Sequence, residues 1–130
     1  MKVGVPKESF AGENRVALTP DSALQLQKLG HECLVEAGAG QAAGISDASY
    51  AAAGVKVVKS ATELFKQADV VAKARPPSTA EAKRLRHGQT LISFFYPAQN
   101  KELLDACNKQ GATVIAMDMV PRISRAQKMD

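Results

Sequence analysis

The chain has 130 residues, of which 45% are hydrophobic and 23% charged, with a formal net charge of +4 and no tryptophan. This length fits one domain with a core of its own, and the composition is typical of globular rather than disordered or fibrous proteins. No apolar run approaches the roughly 20 residues of a membrane span. The chain opens on a strand-like stretch without a signal peptide, so we expect a cytoplasmic protein.

The positive charge invites a nucleic-acid interpretation. The densest basic cluster is Lys83, Arg84 and Arg86, and no aromatic side chains alternate with these cations. A solvated surface explains them, and we expect no nucleic-acid partner. The two cysteines, Cys33 and Cys107, lack metal-ligand spacing, so we expect buried, reduced thiols.

Helical stretches, glycines and short apolar runs follow one another along the chain. Strands are predicted at residues 2–5, 32–35, 55–58, 69–73, 90–95 and 113–117, and helices at residues 20–29 and 101–110. Helix N-caps are predicted at Thr19, Ser46, Ser60 and Asn100, with a proline following the first of them. Gly30, Gly54, Gly88 and Gly111 stand before strands, where a glycine turns the chain back from a helix.

The short, mostly apolar strands suit a sheet that is buried on both faces. Alternation of strands and helices then predicts an α/β fold with three layers, α/β/α. Its sheet should be parallel and doubly wound, as in flavodoxin-like and Rossmann-like domains, with right-handed crossovers.

Ligands of such sheets bind at the carboxyl ends of the strands. Cations, amides and prolines gather at that edge in this chain, whereas the opposite joints are glycines. Lys73 closes an otherwise apolar strand, and Arg15 lies in the loop after the first strand. If both point into one cleft, they could hold a carboxylate or a phosphate. The alternative for Lys73 is a side chain that lies along the sheet rim with its charge in water.

The glycine-rich stretch at residues 38–44 has the spacing G-x-G-x-x-x-G and does not open a helix directly, so we predict an ordinary mobile loop. His31 and His87 flank helix ends, where a cation suits the helix dipole. No zinc-ligand spacing, Ser-His-Asp set or nucleophile elbow is present. The sequence therefore predicts no metal site and no catalytic side chain.

The last fifteen residues combine a strand pattern, a proline and a polar cluster. Ser124 and Gln127 have the spacing of a capping box, which predicts that a helix begins there. Because the sequence stops at Asp130, within two turns of that start, we expect it to be the front portion of a larger protein.

Residues 1–8, 13–20 and 36–40 resemble the N-terminal domain shared by alanine dehydrogenases and proton-translocating NAD(P) transhydrogenases. Residues 96–100, with the sequence YPAQN, and residues 116–127 are similar to the transhydrogenase α subunit in particular. Alanine dehydrogenases carry a catalytic histidine where this chain has Tyr96. The resemblance extends over the whole chain.

The resemblance implies direct hydride transfer between NAD(H), held by this subunit, and NADP(H), held by a partner domain, coupled to proton movement through a membrane domain. It also implies a cofactor-binding loop against the nicotinamide. That loop consists of Arg122, Ile123, Ser124, Arg125, Gln127 and Asp130. Arg15 and Lys73 match positions that bind the substrate carboxylate in alanine dehydrogenases, and with Tyr96 they are candidates for a substrate pocket.

By the same resemblance, residues 1–130 form one N-terminal α/β domain, and a Rossmann domain that binds most of the NAD(H) would follow residue 130. The assembled enzyme would be a homodimer, peripheral to the inner membrane through its other domains. The 130 residues alone would be inactive. Two alternatives remain: an amino-acid dehydrogenase of the alanine type, and a non-catalytic α/β binding module.

Overall fold

The computed structural model describes residues 1–119, apart from the side chains of residues 97–99 and 119. The strands are β1 (Lys2–Val5), β2 (Glu32–Glu36), β3 (Lys56–Val58), β4 (Val70–Ala72), β5 (Thr90–Ser93) and β6 (Thr113–Ala116). The helices are α1 (Pro20–Lys28), α2 (Asp47–Ala52), α3 (Ala61–Gln67), α4 (Thr79–Arg84) and α5 (Pro97–Lys109). Two short 3₁₀ turns, Gln41–Ala43 and Met117–Met119, complete the described part.

The six strands form one parallel sheet in the order β3-β2-β1-β4-β5-β6. The chain begins in the middle of the sheet, builds outward to β3, and then crosses to β4 and builds outward to β6. The order therefore reverses between β1 and β4, as it does in a doubly wound sheet. The predicted fold class is confirmed.

Each face of the sheet has its own apolar core. On one face, α1 and α2 pack over β1, β2 and β3, around a cluster that includes the fully buried Tyr50. On the other face, α3, α4 and α5 pack around Leu64, Phe65 and Leu91. Gly4 of β1 faces α3, where a β-carbon would lie 2.7 Å from the Ala68 side chain. The helix α3 can therefore approach the centre of the sheet closely.

Hydroxyl caps fix the starts of the first four helices. Thr19, Ser46, Ser60 and Ser78 each accept a hydrogen bond from a backbone N–H in the first turn of the helix that follows. The first three caps were predicted and are confirmed. A helix before Gly88 was expected without stated bounds, and α4 is that helix, but its cap at Ser78 was not predicted. The predicted cap at Asn100 is wrong. Helix α5 begins four residues earlier than predicted, with Tyr96 at its N-cap, Pro97 in its first turn and a kink at Asn100.

Other differences from the sequence-based elements are small. The fourth, fifth and sixth strands end one or two residues before their predicted limits. Both cysteines are buried and free, as predicted, and burial raises the pKa of the Cys107 thiol to about 11. Within residues 1–119, no helix is both long and apolar enough to cross a membrane.

Candidate functional site

The carboxyl edge of the sheet carries a cavity of about 400 Å³, whose lining includes Lys73, Arg75 and Tyr96. A larger cavity, about 600 Å³, lies at the opposite edge beside Lys2 and His31. Size alone would favour the second. We place the functional site at the carboxyl edge because ligands of parallel sheets bind there, and because the buried charges of the domain gather there.

Lys73, which follows β4, is buried between two carboxylates. Its Nζ lies 3.3 Å from Oε1 of Glu8 and 3.1 Å from Oε1 of Glu81, and all three side chains are at most 7% exposed. Glu8 also accepts hydrogen bonds from the backbone N–H groups of Ala74 and Arg75, at 2.8 and 3.2 Å. The alternative in which Lys73 lies along the sheet rim is therefore wrong. Its ammonium group is an internal charge with carboxylate partners.

Helix α4 delivers one of those partners through its cap. Glu81 is the third residue of α4, and its Oε1 accepts a hydrogen bond from the backbone N–H of Ser78 at 2.8 Å, while the Ser78 hydroxyl caps the helix in return. This capping box holds the Glu81 side chain against the end of β4. The same carboxylate thus orders the helix start and compensates the Lys73 charge.

Glu13 is the centre of a second charge cluster, in the loop after β1. Its carboxylate accepts hydrogen bonds from Nε and Nη2 of Arg15, both at 2.8 Å, and from Nε of Arg75 at 2.9 Å. The hydrogen bonds from Arg15 hold the pKa of Glu13 far below its ordinary value. The pKa of Arg15 is raised in turn, mainly by Glu13 and also by the nearby Tyr96.

The guanidinium of Arg75 lies over aromatic rings at the mouth of the cavity. Its Cζ is 4.1 Å from the ring centroid of Phe10 and 5.8 Å from that of Tyr96. A planar guanidinium can stack on a ring face while its Nε donates to a carboxylate in the plane, which an ammonium group cannot do. Arg75 therefore joins the loop after β1 to the end of β5.

Tyr96 is the only non-glycine residue with a positive φ in the described part of the chain, with φ 49° and ψ 64°. Its ring stacks on that of Phe94, with the centroids 6.3 Å apart and the planes at 18°. The carboxylate of Asp118, just beyond β6, accepts hydrogen bonds from the backbone N–H groups of Phe95 and Tyr96, at 3.0 and 2.6 Å. These hydrogen bonds lower the pKa of Asp118, and the one from Phe95 has the largest effect.

The structure brings some of the predicted site residues together and leaves others apart. Lys73 and Tyr96 line the same cavity. Arg15 is not part of that lining, and its side chain is 58% exposed. Glu13 nevertheless links Arg15 to Arg75, and Arg75 does line the cavity. The predicted nicotinamide loop lies outside the described residues, with all six of its members: Arg122, Ile123, Ser124, Arg125, Gln127 and Asp130.

The glycine-rich stretch after β2 has a packing role. A β-carbon on Gly40 would lie 2.7 Å from the Tyr50 ring and 2.8 Å from the Ile45 carbonyl oxygen. The glycine is required by this close approach, and the stretch forms the 3₁₀ turn Gln41–Ala43 before α2 begins.

Sequence patterns did not single out the carboxylates that organise the edge, namely Glu8, Glu13, Glu81 and Asp118. One signal was available for Glu8 and Glu81. A lysine that ends a buried strand needs an opposite charge nearby, and both residues lie beside the edge where that strand ends.

Known proteins match this chain over most or all of its length. Residues 4–130 match the family model described as alanine dehydrogenase/PNT, N-terminal domain. The chain belongs to the alanine dehydrogenase/PNT N-terminal domain family. Over all 130 residues it is 70% identical to the NAD(P) transhydrogenase subunit alpha of Cereibacter sphaeroides, which confirms the resemblance to that subunit. It is 42% identical to the alanine dehydrogenase of Mycobacterium tuberculosis over 92% of the chain.

Members of this family with solved structures share the fold. The transhydrogenase from Sinorhizobium meliloti superposes with a TM-score of 0.91 at 40% identity, covering the whole of this chain and 39% of that one. The chain spans 25% of the length of the Cereibacter sphaeroides subunit and 32% of the mycobacterial enzyme. The homology supports membership of an oxidoreductase family, with alanine dehydrogenase as the more distant relative.

Proposed function

We propose that this chain forms the N-terminal domain of the NAD(H)-binding α subunit of an NAD(P) transhydrogenase. The complete enzyme would pass a hydride directly between NAD(H) and NADP(H), with Re/Si specificity and coupled to proton translocation. One observation carries the proposal, the 70% identity to a transhydrogenase α subunit over every residue of the chain.

The chemistry of the carboxyl edge agrees with hydride exchange. Direct transfer between two nicotinamide rings needs near-attack positioning and no general acid or base. An amino-acid dehydrogenase must in addition move protons on its substrate, for which histidine is the commonest group. The two histidines of this chain, His31 and His87, come just before β2 and β5, at the amino edge and away from the cavity beside Tyr96. This arrangement favours transhydrogenation over the alanine dehydrogenase alternative.

The first βα turn does not fit a dinucleotide pyrophosphate. The loop between β1 and α1 contains a single glycine, Gly12, instead of a G-x-G-x-x-G fingerprint. At the start of α1, Pro20 has no N–H group, and the N–H of Ser22 donates to the Thr19 hydroxyl. A second, Rossmann domain after residue 130 would therefore hold most of the NAD(H).

The contribution of this domain to the cofactor would come from its last nine residues. Gln127 has a carboxamide that can orient the carboxamide of the nicotinamide, and Arg122 paired with Asp130 could fix the loop. The residues between them in this assignment are Ile123, Ser124 and Arg125. Arg15, Lys73 and Tyr96 would support the edge rather than bind an organic acid, since both cations already have carboxylate partners.

The partners follow from the same assignment. They are the Rossmann domain of the same subunit, the NADP(H)-binding domain that accepts the hydride, and a membrane domain that carries the proton. A second copy of the subunit would complete a homodimer, and the assembled domain would lie on the cytoplasmic side of the inner membrane.

The test uses the complete α subunit with its NADP(H)-binding partner. We expect NADPH to reduce an NAD⁺ analogue that has a distinct absorbance, and NADH not to be oxidised by pyruvate with ammonia. Gln127→Ala should lower hydride transfer about 10- to 100-fold at saturating NADH, because the nicotinamide is no longer aligned. Gln25→Ala, an exposed glutamine of α1, is the matched control and should have no effect. Oxidation of NADH by pyruvate and ammonia in the wild type would contradict the proposal.

A further inference from the structure

One exposed carboxylate, Asp118, binds the backbone of a neighbouring strand end through both of its oxygens. Oδ1 accepts the N–H of Phe95 at 3.0 Å, and Oδ2 accepts the N–H of Tyr96 at 2.6 Å. Two successive amides on one carboxylate fix both the position and the orientation of the peptide between them. Asp118 belongs to the 3₁₀ turn after β6, so this contact joins the ends of β5 and β6 beyond the last ladder pair, Ser93 and Ala116.

The second of these amides belongs to Tyr96, the residue with the strained backbone. A left-handed backbone is unfavourable for a residue with a β-carbon, and it persists where the surroundings fix it. The carbonyl side is held as well, because Nδ2 of Asn100 donates to the oxygen of Phe95 at 2.8 Å and to that of Tyr96 at 3.5 Å. Asp118 therefore binds the donors of this turn, and Asn100 binds its acceptors.

The strained backbone decides where the Tyr96 ring lies. In its present conformation the ring is 37% exposed, stacks on Phe94, and stands within 5.8 Å of the Arg75 guanidinium at the cavity mouth. An ordinary helical or extended backbone at residue 96 would direct the Cα–Cβ bond elsewhere. The contact with Arg75 thus depends on hydrogen bonds made by a residue of another strand end.

Asp118 also lies close in sequence to the residues that the proposed function assigns to the nicotinamide. Arg122 follows it by four positions. A carboxylate anchored on Phe95 and Tyr96 fixes the chain at residue 118, shortly before that assigned segment begins. We propose that Asp118 is a positioning residue, which holds Tyr96 in its left-handed conformation and positions the chain ahead of the segment assigned to the nicotinamide. The second half of this inference rests on the proposed function.

The first half can be tested on the 130-residue chain with 3-fluorotyrosine. The chain has two tyrosines, the buried Tyr50 and the partly exposed Tyr96, so its fluorine NMR spectrum should contain two signals. In Asp118→Ala we expect the Tyr96 signal to move while the Tyr50 signal stays. Asp105→Ala is the matched control, since Asp105 is exposed on α5 and its carboxylate makes no hydrogen bond or ion pair with the described residues. A Tyr96 signal that stays in place in Asp118→Ala overturns the inference.

Asp118→Asn guards against loss of folding. The asparagine keeps one carbonyl oxygen and can accept from one of the two amides, so the Tyr96 signal should move by an intermediate amount. If the native Tyr50 signal is also lost in both variants, Asp118 stabilises the whole domain rather than this turn, and the inference is overturned.

The second half is tested in the complete α subunit with its NADP(H)-binding partner. We expect Asp118→Ala to lower kcat for hydride transfer by at least about tenfold, because misplaced rings react slowly. KM for NADH should change by less than about threefold, since most binding contacts lie elsewhere. Asp118→Asn should retain part of the rate, and Asp105→Ala all of it.

The outcomes separate the two proposals. A wild-type subunit that transfers no hydride overturns the proposed function, and with it the catalytic half of this inference, while the fluorine result still decides the role of Asp118 in holding Tyr96. An active wild type in which Asp118→Ala behaves like Asp105→Ala overturns the role of Asp118 alone.

Discussion

Replacing Lys73 with methionine should destabilise the domain strongly. Methionine has a similar length and apolar stem, so the change mainly removes the charge. It leaves Glu8 and Glu81 facing each other with side chains only 3% and 7% exposed. Removing one partner from a buried ion pair typically costs about 3–5 kcal/mol, because an uncompensated charge stays in a poorly hydrated site. A domain of this size is stable by roughly 5–15 kcal/mol in total.

Urea denaturation followed by far-UV circular dichroism measures this cost, since the chain has no tryptophan to report by fluorescence. With an m-value of about 1–3 kcal/mol per molar urea, the midpoint should fall by roughly 1–5 M. Lys59→Met is the control, because Lys59 is exposed between β3 and α3 and its replacement should change stability by less than about 0.5 kcal/mol. A buried pair is screened little by salt, so the cost should persist at high ionic strength.

The triple variant Lys73→Met, Glu8→Gln and Glu81→Gln tests the reason for the loss. It removes all three charges. The glutamine at position 81 keeps an oxygen for the Ser78 N–H, and the glutamine at position 8 keeps an oxygen for one of the two backbone N–H groups that Glu8 binds now. Replacing a complete buried ion cluster is often close to neutral, so most of the stability should return. A cost for Lys73→Met no greater than that for Lys59→Met, or a triple variant less stable than Lys73→Met alone, would show that the buried charges do not cause the loss.

Three further changes test other parts of the domain. NMR titration of the Glu13 carboxyl should show that it stays ionised well below pH 4, and Arg15→Gln should raise its pKa. Because the folded-state pKa of Glu13 is depressed, the stability that this carboxylate contributes is present above its unfolded-state pKa, near 4.3. That stability is lost as the pH falls through the folded-state pKa. Gly4→Ala should cost about 1–3 kcal/mol in the same urea assay, since its β-carbon would press on Ala68. A thiol reagent at pH 8 should leave Cys33 and Cys107 unmodified in the folded protein and should label two thiols per chain after unfolding. Rapid labelling of the native protein would contradict their burial.

The strands were predictable because burial on both faces leaves a clear apolar signature, but their ends depend on partners. Phe94 and Phe95 continue the apolar run of β5, yet the ladder stops where Ser93 pairs with Ala116. Beyond that pair the chain turns into the left-handed Tyr96. Single-residue patterns cannot locate such an end, since it is set by the register between two strands.

The start of α5 shows a different kind of error. Asn100 has the chemistry of an N-cap and was predicted as one, although a proline, Pro97, lies three residues before it. That proline is the stronger signal, since proline is favoured in the first turn of a helix. The Asn100 amide instead bonds back to the carbonyls of Phe95 and Tyr96, at a kink within the helix.

The edge that holds the site was predictable from topology, whereas its contacts were not. Strand ends of a parallel sheet must meet at one edge, which placed Lys73 and Tyr96 together. The partner of Lys73 in the loop after β1 is remote in sequence, and nothing local distinguishes Glu8 from a solvated glutamate. Only the sheet order, with β1 beside β4, brings the two side chains into contact.

Carboxylates bind the backbone amides at three of the junctions between neighbouring strand ends. Glu36 of β2 accepts the N–H of Lys7 after β1, at 2.9 Å. Glu8 after β1 accepts two amides after β4, and Asp118 after β6 accepts two after β5. In a dinucleotide-binding domain, free amides at this edge would be the donors for phosphate oxygens. Here the protein's own carboxylates already occupy these amides. The edge is therefore organised before any ligand arrives, and it is unsuited to a pyrophosphate. This supports the proposed division, in which another domain would hold the dinucleotide and this one would position the reacting end.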